Sequence, residues 1–358
     1  MREEIIKNAS QIVIKLGTGI LTNEQNLPDQ KQIQQLVNQV ASLHRAKKEV
    51  ILVSSGAVGA GMGALELTER PHSLAQLQAC AALGQSQLIA TYQELFARKN
   101  ILTAQVLLTH EDLKSHDRHL NARNTLSTLL DHRIIPIVNE NDAVSTTELK
   151  FGDNDALSAL VASLLPVDLL VILTTADGVI KNFGTPKAER LSLIEKVDRE
   201  IESLASGTTS ATATGGMVTK VQAAKIASRS GIATIIGPGR KRGVLKNIFS
   251  GNDEGTLILP NPTRLKGRKR WIAFFHHPLG QLFVDDGAKQ ALRENGKSLL
   301  SKGLVRTEGT FPQNSVVSIC DLEGIEFGRG MVALDSKSLS DGQISAKVLV
   351  HRNNMVIL

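Results

Sequence analysis

Ile12-Val-Ile-Lys-Leu-Gly-Thr-Gly19 is a β-branched apolar run that ends on a lysine and two nearby glycines. Such a run reads as a buried strand, and the glycines let backbone N–H groups approach an anion beyond its carboxyl end. A strand with a snorkelling lysine and a tight turn gives the same local pattern, so the surroundings must decide. Similar runs recur at Val50–Val53, Ile101–Leu108, Ile134–Val138, Leu169–Leu173 and Ala233–Ile236. Helix-patterned stretches lie among them at Gln30–Lys47, Ser73–Arg98, Asn121–Leu130, Asn154–Leu164 and Gly216–Ser230. This alternation predicts an α/β fold with a parallel-rich open sheet sandwiched by helices.

The pattern changes after Pro260-Asn-Pro262 and a basic cluster of Arg264, Lys266, Arg268, Lys269 and Arg270. Short strand patterns follow at Trp271–Phe275, Gly280–Val284, Val316–Ile319 and Lys347–Val350, with one helix near Ala288–Glu294. The expected organisation is a large domain over 1–262, a basic linker over 263–270 and a small β-rich domain over 271–358.

The chain has 358 residues, 42% hydrophobic and 21% charged, which is ordinary globular composition. Its formal charge of +6 resides mainly in the linker: from Arg264 onward there are 14 Lys+Arg against 9 Asp+Glu, and before it 27 against 26. A broad basic face for nucleic acid is therefore not indicated, and Trp271, the single tryptophan, offers no stacking platform. The N-terminus lacks an apolar signal core and no run is long enough to span a bilayer, so a cytoplasmic location is expected. Cys80 and Cys320 read as buried small hydrophobes.

Four further motifs carry polar chemistry. Val53-Ser-Ser-Gly-Ala-Val-Gly-Ala-Gly61 runs a strand into a glycine-rich turn that offers hydroxyls and amides to an anion, although such turns are common. Ile134-Ile-Pro-Ile-Val-Asn-Glu-Asn-Asp142 ends an apolar strand in four polar residues, where the carboxyl edge of a sheet holds ligands. Phe151-Gly-Asp-Asn-Asp-Ala-Leu-Ser158 places three polar groups at a helix start, although capping needs one. Thr214-Gly-Gly-Met-Val-Thr-Lys220 joins the small-residue loop 207–216 to a helix, aiming free amides at a phosphate with Lys220 one turn inside. No Walker A motif and no dinucleotide G-x-G-x-x-G spacing occurs.

Taken in order, Lys15-Leu-Gly-Thr, Ser54-Ser-Gly-Ala, Leu120-Asn-Ala-Arg, Asn139-Glu-Asn-Asp, Gly152-Asp-Asn-Asp and Thr214 to Lys220 resemble the motif series of the glutamate 5-kinase family of amino-acid kinases. The tail from Arg268 is similar to that family's C-terminal PUA domain. The resemblance implies transfer of the ATP γ-phosphoryl group to the γ-carboxylate of glutamate, the first step of proline synthesis. It implies Lys15, Lys220 and Asp155 as catalytic residues, the lysines neutralising charge and Asp155 orienting them. Ser55, Asp142 and Asn154 match positions that bind glutamate. ATP would be held by Lys15, Gly17, Thr174, Thr175, Thr214, Gly215, Gly216, Met217, Val218, Thr219 and Lys220, with Mg²⁺ carried mainly by ATP oxygens and water. Proline as feedback inhibitor, a homo-oligomer (dimer or tetramer) and a downstream glutamyl phosphate reductase are further implications. The PUA-like tail and the basic linker raise an RNA-binding or RNA-modifying protein as the alternative class, against which the balanced charge of the tail speaks.

The chain departs from the family's pattern at two places. Thr174-Thr175 stands where Thr-Asp is usual, and Gly178 to Pro186 lacks the usual Tyr and Asp-Pro features of the adenine side. Sibling kinases acting on acetylglutamate, aspartate or a nucleoside monophosphate share the lysines, but the Asn-Glu-Asn-Asp block and the PUA-like tail set this chain apart from them.

Overall fold

The computed structural model describes residues 1–23, 25, 27–144, 154–206, 216–261, 269, 272, 273, 278–340 and 348–358. The chain divides into two compact units, Met1–Arg264 and Leu265–Leu358. Each has its own apolar core.

In the first unit the elements run α1 (Arg2–Asn8), β1 (Gln11–Leu16), α2 (Thr18–Leu21), α3 (Gln30–Arg45), β2 (Glu49–Ser54), α4 (Ala57–Ala64), α5 (Leu74–Ala97) and β3 (Thr103–Leu108). They continue through α6 (His110–Lys114), α7 (His116–Asp131), β4 (Ile135–Glu140), α8 (Asp155–Leu164), β5 (Leu169–Thr174), β6 (Ile180–Lys181), β7 (Glu189–Arg190) and β8 (Leu193–Ile194). The unit closes with α9 (Arg199–Ser206), α10 (Met217–Arg229), β9 (Ala233–Pro238), α11 (Val244–Phe249) and β10 (Thr256–Ile258).

Eight strands form one sheet in the order β3-β4-β2-β1-β5-β9-β10-β8. Every pairing is parallel except β9 with β10. The central strands β1 and β5 are apolar nearly throughout and buried along almost their whole length, as a sheet covered on both faces requires. Helix starts are specified locally. Asp29 caps α3 by accepting from the Gln32 N–H at 3.0 Å, Ser73 caps α5, and Thr109 with Asp112 forms a reciprocal capping box on α6.

Helices α4 and α5 meet backbone to backbone. A Cβ on Gly61 would fall 1.9 Å from the Cys80 carbonyl oxygen, and one on Gly84 would fall 1.9 Å from that of Ala57. Only glycine permits this approach, which fixes the wall beside the β2 turn, where Gly56 adopts φ 101°.

The second unit is a six-stranded sheet in the order β12-β16-β15-β14-β11-β13. Its strands are β11 (Gln281–Val284), β12 (Leu299–Leu300), β13 (Leu304–Glu308), β14 (Val316–Cys320), β15 (Glu326–Val332) and β16 (Val348–Ile357), with helices at Asp286–Arg293 and Ser336–Ser340. Cys80 and Cys320 are both buried free thiols.

Two expectations are corrected. The run Trp271–Phe275 was expected as a strand, yet Ile272 and Ala273, its described members, are helical and buried. A five-residue apolar run carries no periodicity that separates strand from helix. The strand at Ile134–Val138 continues through Asn139 and Glu140, because the edge strand β3 offers ladder partners that far, Leu107 to Asn139 and Leu108 to Glu140. The loop 207–215 and, apart from Lys269, the basic linker from residue 263 to residue 270 lie outside the described residues.

Candidate active site

Strand order brings β1 between β2 and β5, so the turns after all three open on the carboxyl edge of the sheet. Lys15 is the penultimate residue of β1 and is fully buried. Its Nζ lies 2.8 Å from Oδ1 of Asp155, also fully buried, at the first position of α8. The second carboxylate oxygen takes Lys220 from α10: Nζ donates to Oδ2 at 3.1 Å, and the Thr219 hydroxyl donates to the same oxygen at 2.7 Å. Lys220 is only 4% exposed. Two ammonium groups, one from the central strand β1 and one from α10, thus share one carboxylate. Withdrawing two cations and one anion from water leaves a net positive charge where an incoming anion would supply the balance.

Around this cluster the turns offer amides. Gly17 is the N-cap of α2, and its own N–H donates to the Leu173 carbonyl of β5 at 3.3 Å. The sheet therefore consumes the Gly17 amide, and the turn presents the amides of Thr18 and Gly19 instead. Arg240, just past β9, anchors that turn by donating from Nε to the Gly19 carbonyl at 3.0 Å and through its guanidinium to the Thr22 carbonyl. Thr174 ends β5 and is buried, its carbonyl accepting from the Gly239 N–H at 2.7 Å. Exposed Thr175 approaches Gly19, since a Cβ there would sit 3.1 Å from the Thr175 methyl. Gly216 is the N-cap of α10 and no side chain caps it, so among the described residues the first-turn amides of Met217, Val218 and Thr219 have no side-chain cap and face the end of the helix that favours an anion. Thr214 and Gly215 lie outside the described residues.

A second cluster lies on the β2 and β4 side. Asn154 occupies the N-cap position of α8, yet its side chain makes no capping bond. Its Nδ2 instead donates to the Ser54 carbonyl and to Asn139 Oδ1, each at 2.6 Å. Asn139 in turn donates from Nδ2 to Gln85 Oε1 at 2.6 Å, and the Tyr92 hydroxyl lies 3.0 Å from Ser54 Oγ. Ser55 is buried directly after β2, with its N–H donating to the Leu16 carbonyl at 3.1 Å. Asp142 is half-buried in the turn after β4, and burial pushes its carboxyl above the usual carboxylate range, with Arg70 opposing that shift. The stretch 145–153 between these blocks lies outside the described residues.

The structure therefore brings Lys15, Asp155 and Lys220 into direct contact and joins Asn154 to Asn139 and the Ser54–Ser55 turn. Gln85, Tyr92 and Arg240 complete the two clusters, and sequence reasoning did not find them. Tyr92 is the chain's single tyrosine and lies seven residues from Gln85, two helical turns along one face; that was the available signal.

The model of the amino acid kinase family matches residues 10–238, and that of the PUA domain matches residues 280–351. Glutamate 5-kinase of Pelobacter propionicus is 41% identical and that of Geobacter sulfurreducens 43% identical, each match covering all of this chain and all of the relative. Among solved structures, carbamate kinase from Giardia lamblia bound to AMP-PNP superposes with a TM-score of 0.51 at 19% identity, covering 71% of this chain and 100% of that one, which speaks for the fold. Identity of 41% and 43% over the full length of both relatives, on a fold whose buried lysines converge as described, leads to one conclusion: the chain belongs to the amino acid kinase family, in its glutamate 5-kinase branch, with a PUA domain at its C-terminal end.

Proposed function

We propose that the chain transfers the γ-phosphoryl group of ATP to the γ-carboxylate of L-glutamate, giving L-glutamyl 5-phosphate and ADP, the opening reaction of proline synthesis. The observation that carries the reading is the pair of lysines, Lys15 and Lys220, held on the two oxygens of buried Asp155.

A carboxylate is already a competent nucleophile, so the reaction needs no strong general base. Its oxygen bonds to the γ-phosphorus as the bridge to the β-phosphate breaks, and ADP leaves with the electron pair. The obstacle is repulsion between two anions. Lys15 and Lys220 offset it, and burial makes each charge count for more than it would in water. Asp155 separates and aims the two ammonium groups before substrate arrives, so that little reorganisation remains for the reaction itself.

The amides of Thr18 and Gly19 in the turn that Gly17 opens, together with Gly216, Met217, Val218 and Thr219 at α10, fit the phosphates, as do Thr174 and Thr175 beside them. Thr214 and Gly215 belong to the same nucleotide set by motif. Both Asp155 oxygens are engaged by lysine or hydroxyl groups, so Mg²⁺ fits this site as an ion held by phosphate oxygens and water. When bound, it supplies further neutralisation of phosphate charge. On the acceptor side, Asp142 and Asn154 would take the α-ammonium, and Ser55 a substrate oxygen. Proline as feedback inhibitor, a dimer or tetramer of the chain, a downstream glutamyl phosphate reductase and a cytoplasmic location belong to the same reading. No helix among the described residues is long and apolar enough to cross a membrane.

The test is ADP release with ATP and Mg²⁺ against a panel of glutamate, acetylglutamate, aspartate and UMP, with hydroxylamine present to trap an acyl phosphate. Turnover and trapped hydroxamate with glutamate alone are expected. Release that follows another acceptor overturns the assignment.

A further inference from the structure

Helix α2 is a single turn of four residues, too short to be held by its own hydrogen bonds. What fixes it is whatever satisfies its carbonyl end. The Thr18 carbonyl is taken within the turn, by the Thr22 N–H at 3.1 Å and the Thr22 hydroxyl at 3.0 Å. The Leu21 carbonyl accepts from the Asp29 N–H at 2.8 Å. The Gly19 and Thr22 carbonyls both accept from one side chain, that of Arg240. A planar guanidinium holds its donors at a fixed spacing, so it fixes the two carbonyls relative to each other as well as to itself.

Arg240 is in turn held from behind. Its Nη1 lies 3.6 Å from Oδ2 of Asp29, whose other oxygen caps α3. The preceding residue, Gly239, is buried, donates its N–H to the Thr174 carbonyl at 2.7 Å and accepts from Gln32 Nε2 at 2.8 Å. A Cβ on Gly239 would fall 2.6 Å from the Ile20 side chain, so this backbone also packs directly on the turn. Gly239 and Arg240 thus join the end of β5, the α2 turn and the start of α3. All three guanidinium nitrogens face protein oxygens, which turns the cation away from substrate and towards the chain.

Resting on the proposed reaction, we infer that Arg240 is a positioning residue for the phosphate donor: it holds the Thr18 and Gly19 amides in place for ATP and touches no substrate atom itself. These amides follow Lys15 in the chain by three and four residues, so they serve the phosphates nearest the transfer. Loss of the clamp should therefore be felt by the nucleotide and not by the acceptor.

The test compares full-length wild type with Arg240→Met, Arg240→Lys and Asp29→Asn. ADP affinity is measured by calorimetry with Mg²⁺ and no acceptor, beside KM for ATP, KM for glutamate and the thermal midpoint. Absence of glutamate turnover in the wild type would sink the proposed reaction, whereas the ADP titrations read the clamp whatever the acceptor is. Arg240→Met is expected to weaken ADP and raise the ATP KM about tenfold, the order of one net hydrogen bond, with the glutamate KM held within twofold. Arg240→Lys keeps the charge but replaces the fork by one ammonium, so it should recover only part of the loss. Asp29→Asn decides between positioning and direct contact, because asparagine still caps α3 while the charge that holds the guanidinium is gone. It should weaken ADP about twofold, as expected of an exposed ion pair. Tighter ADP binding in Asp29→Asn, or full recovery in Arg240→Lys, would mean that the cation meets phosphate directly and would overturn the inference. Unchanged ADP affinity in Arg240→Met, or equal losses for ATP and glutamate, would overturn it as well and leave Arg240 a fold contact.

Discussion

Lys15 Nζ and Asp155 Oδ1 are 2.8 Å apart and neither side chain is accessible to solvent. A buried ion pair is costly to form and costlier to break, because removing one partner strands the other charge.

Asp155→Asn should therefore lose stability as well as activity, since it leaves two buried lysines without their shared counter-ion. Breaking such a pair costs roughly 3–5 kcal/mol. A thermal midpoint unchanged from wild type would mean that the lysines find another partner or lose their protons.

Lys15→Met and Lys220→Met are expected to lower kcat by about 10²–10³-fold while changing the glutamate KM little, if each stabilises the transferring phosphoryl group as other transition-state donors do. Steady-state kinetics with both substrates varied would check this. Near-normal turnover in either variant removes that lysine from the chemistry.

Asp142 ties substrate recognition to pH. Its folded pKa is raised by burial, so the native state keeps that proton to a higher pH than the unfolded chain does, and ionising it in place works against the native state as pH rises through that pKa. An α-ammonium needs the ionised form. The glutamate KM should thus climb on acidification at a higher pH than an ordinary carboxylate would give, with ATP KM unaffected. Asp142→Asn should show a high KM that no longer varies with pH over that range; a retained pH dependence would assign it to another group.

Gly84→Ala should destabilise the first unit, because the new Cβ falls on the Ala57 carbonyl and the Gly61 amide, both backbone. Overpacking of this kind costs typically 1–3 kcal/mol. A lowered thermal midpoint with a raised glutamate KM is expected, since α4 and α5 carry the acceptor-side wall; a neutral substitution would show that the helices can separate freely.

Cleavage of the chain after Arg264 should leave phosphoryl transfer intact, because Lys15, Asp155, Lys220 and Asn154 all lie in the first unit, which has its own core. Well-folded but inactive protein would assign the second unit a part in the site.

The sheet was legible in the sequence because its central strands are unbroken apolar runs; Lys15 stood out at the end of one of them, and Asn154 and Asp155 stood out as more polar groups than a helix start needs. Asn139 was legible as a residue of that block but not as a strand residue, since the partner that extends β4 is remote in sequence. Gln85 and Tyr92 were hidden for a different reason. On a long helix a polar residue every seventh position reads as a solvated face, and only packing against β2 and β4 turns it inward. The segment around Ile272 was misread because aromatic and apolar residues without a period fit strand and helix alike.

The position of β1 has an evolutionary consequence under the proposed reading. Lys15 stands on the seam of the sheet, with β2 and β4 on one flank and β5 and β9 on the other. The acceptor groups Asn139, Asn154 and Ser55 belong to the first flank, and the phosphate-facing turns of β5 and α10 to the second. Each flank can drift under its own selection as long as the seam is kept. A lineage of this architecture could therefore trade one acceptor for another by altering the β2–β4 flank alone and inherit its phosphate donor unchanged.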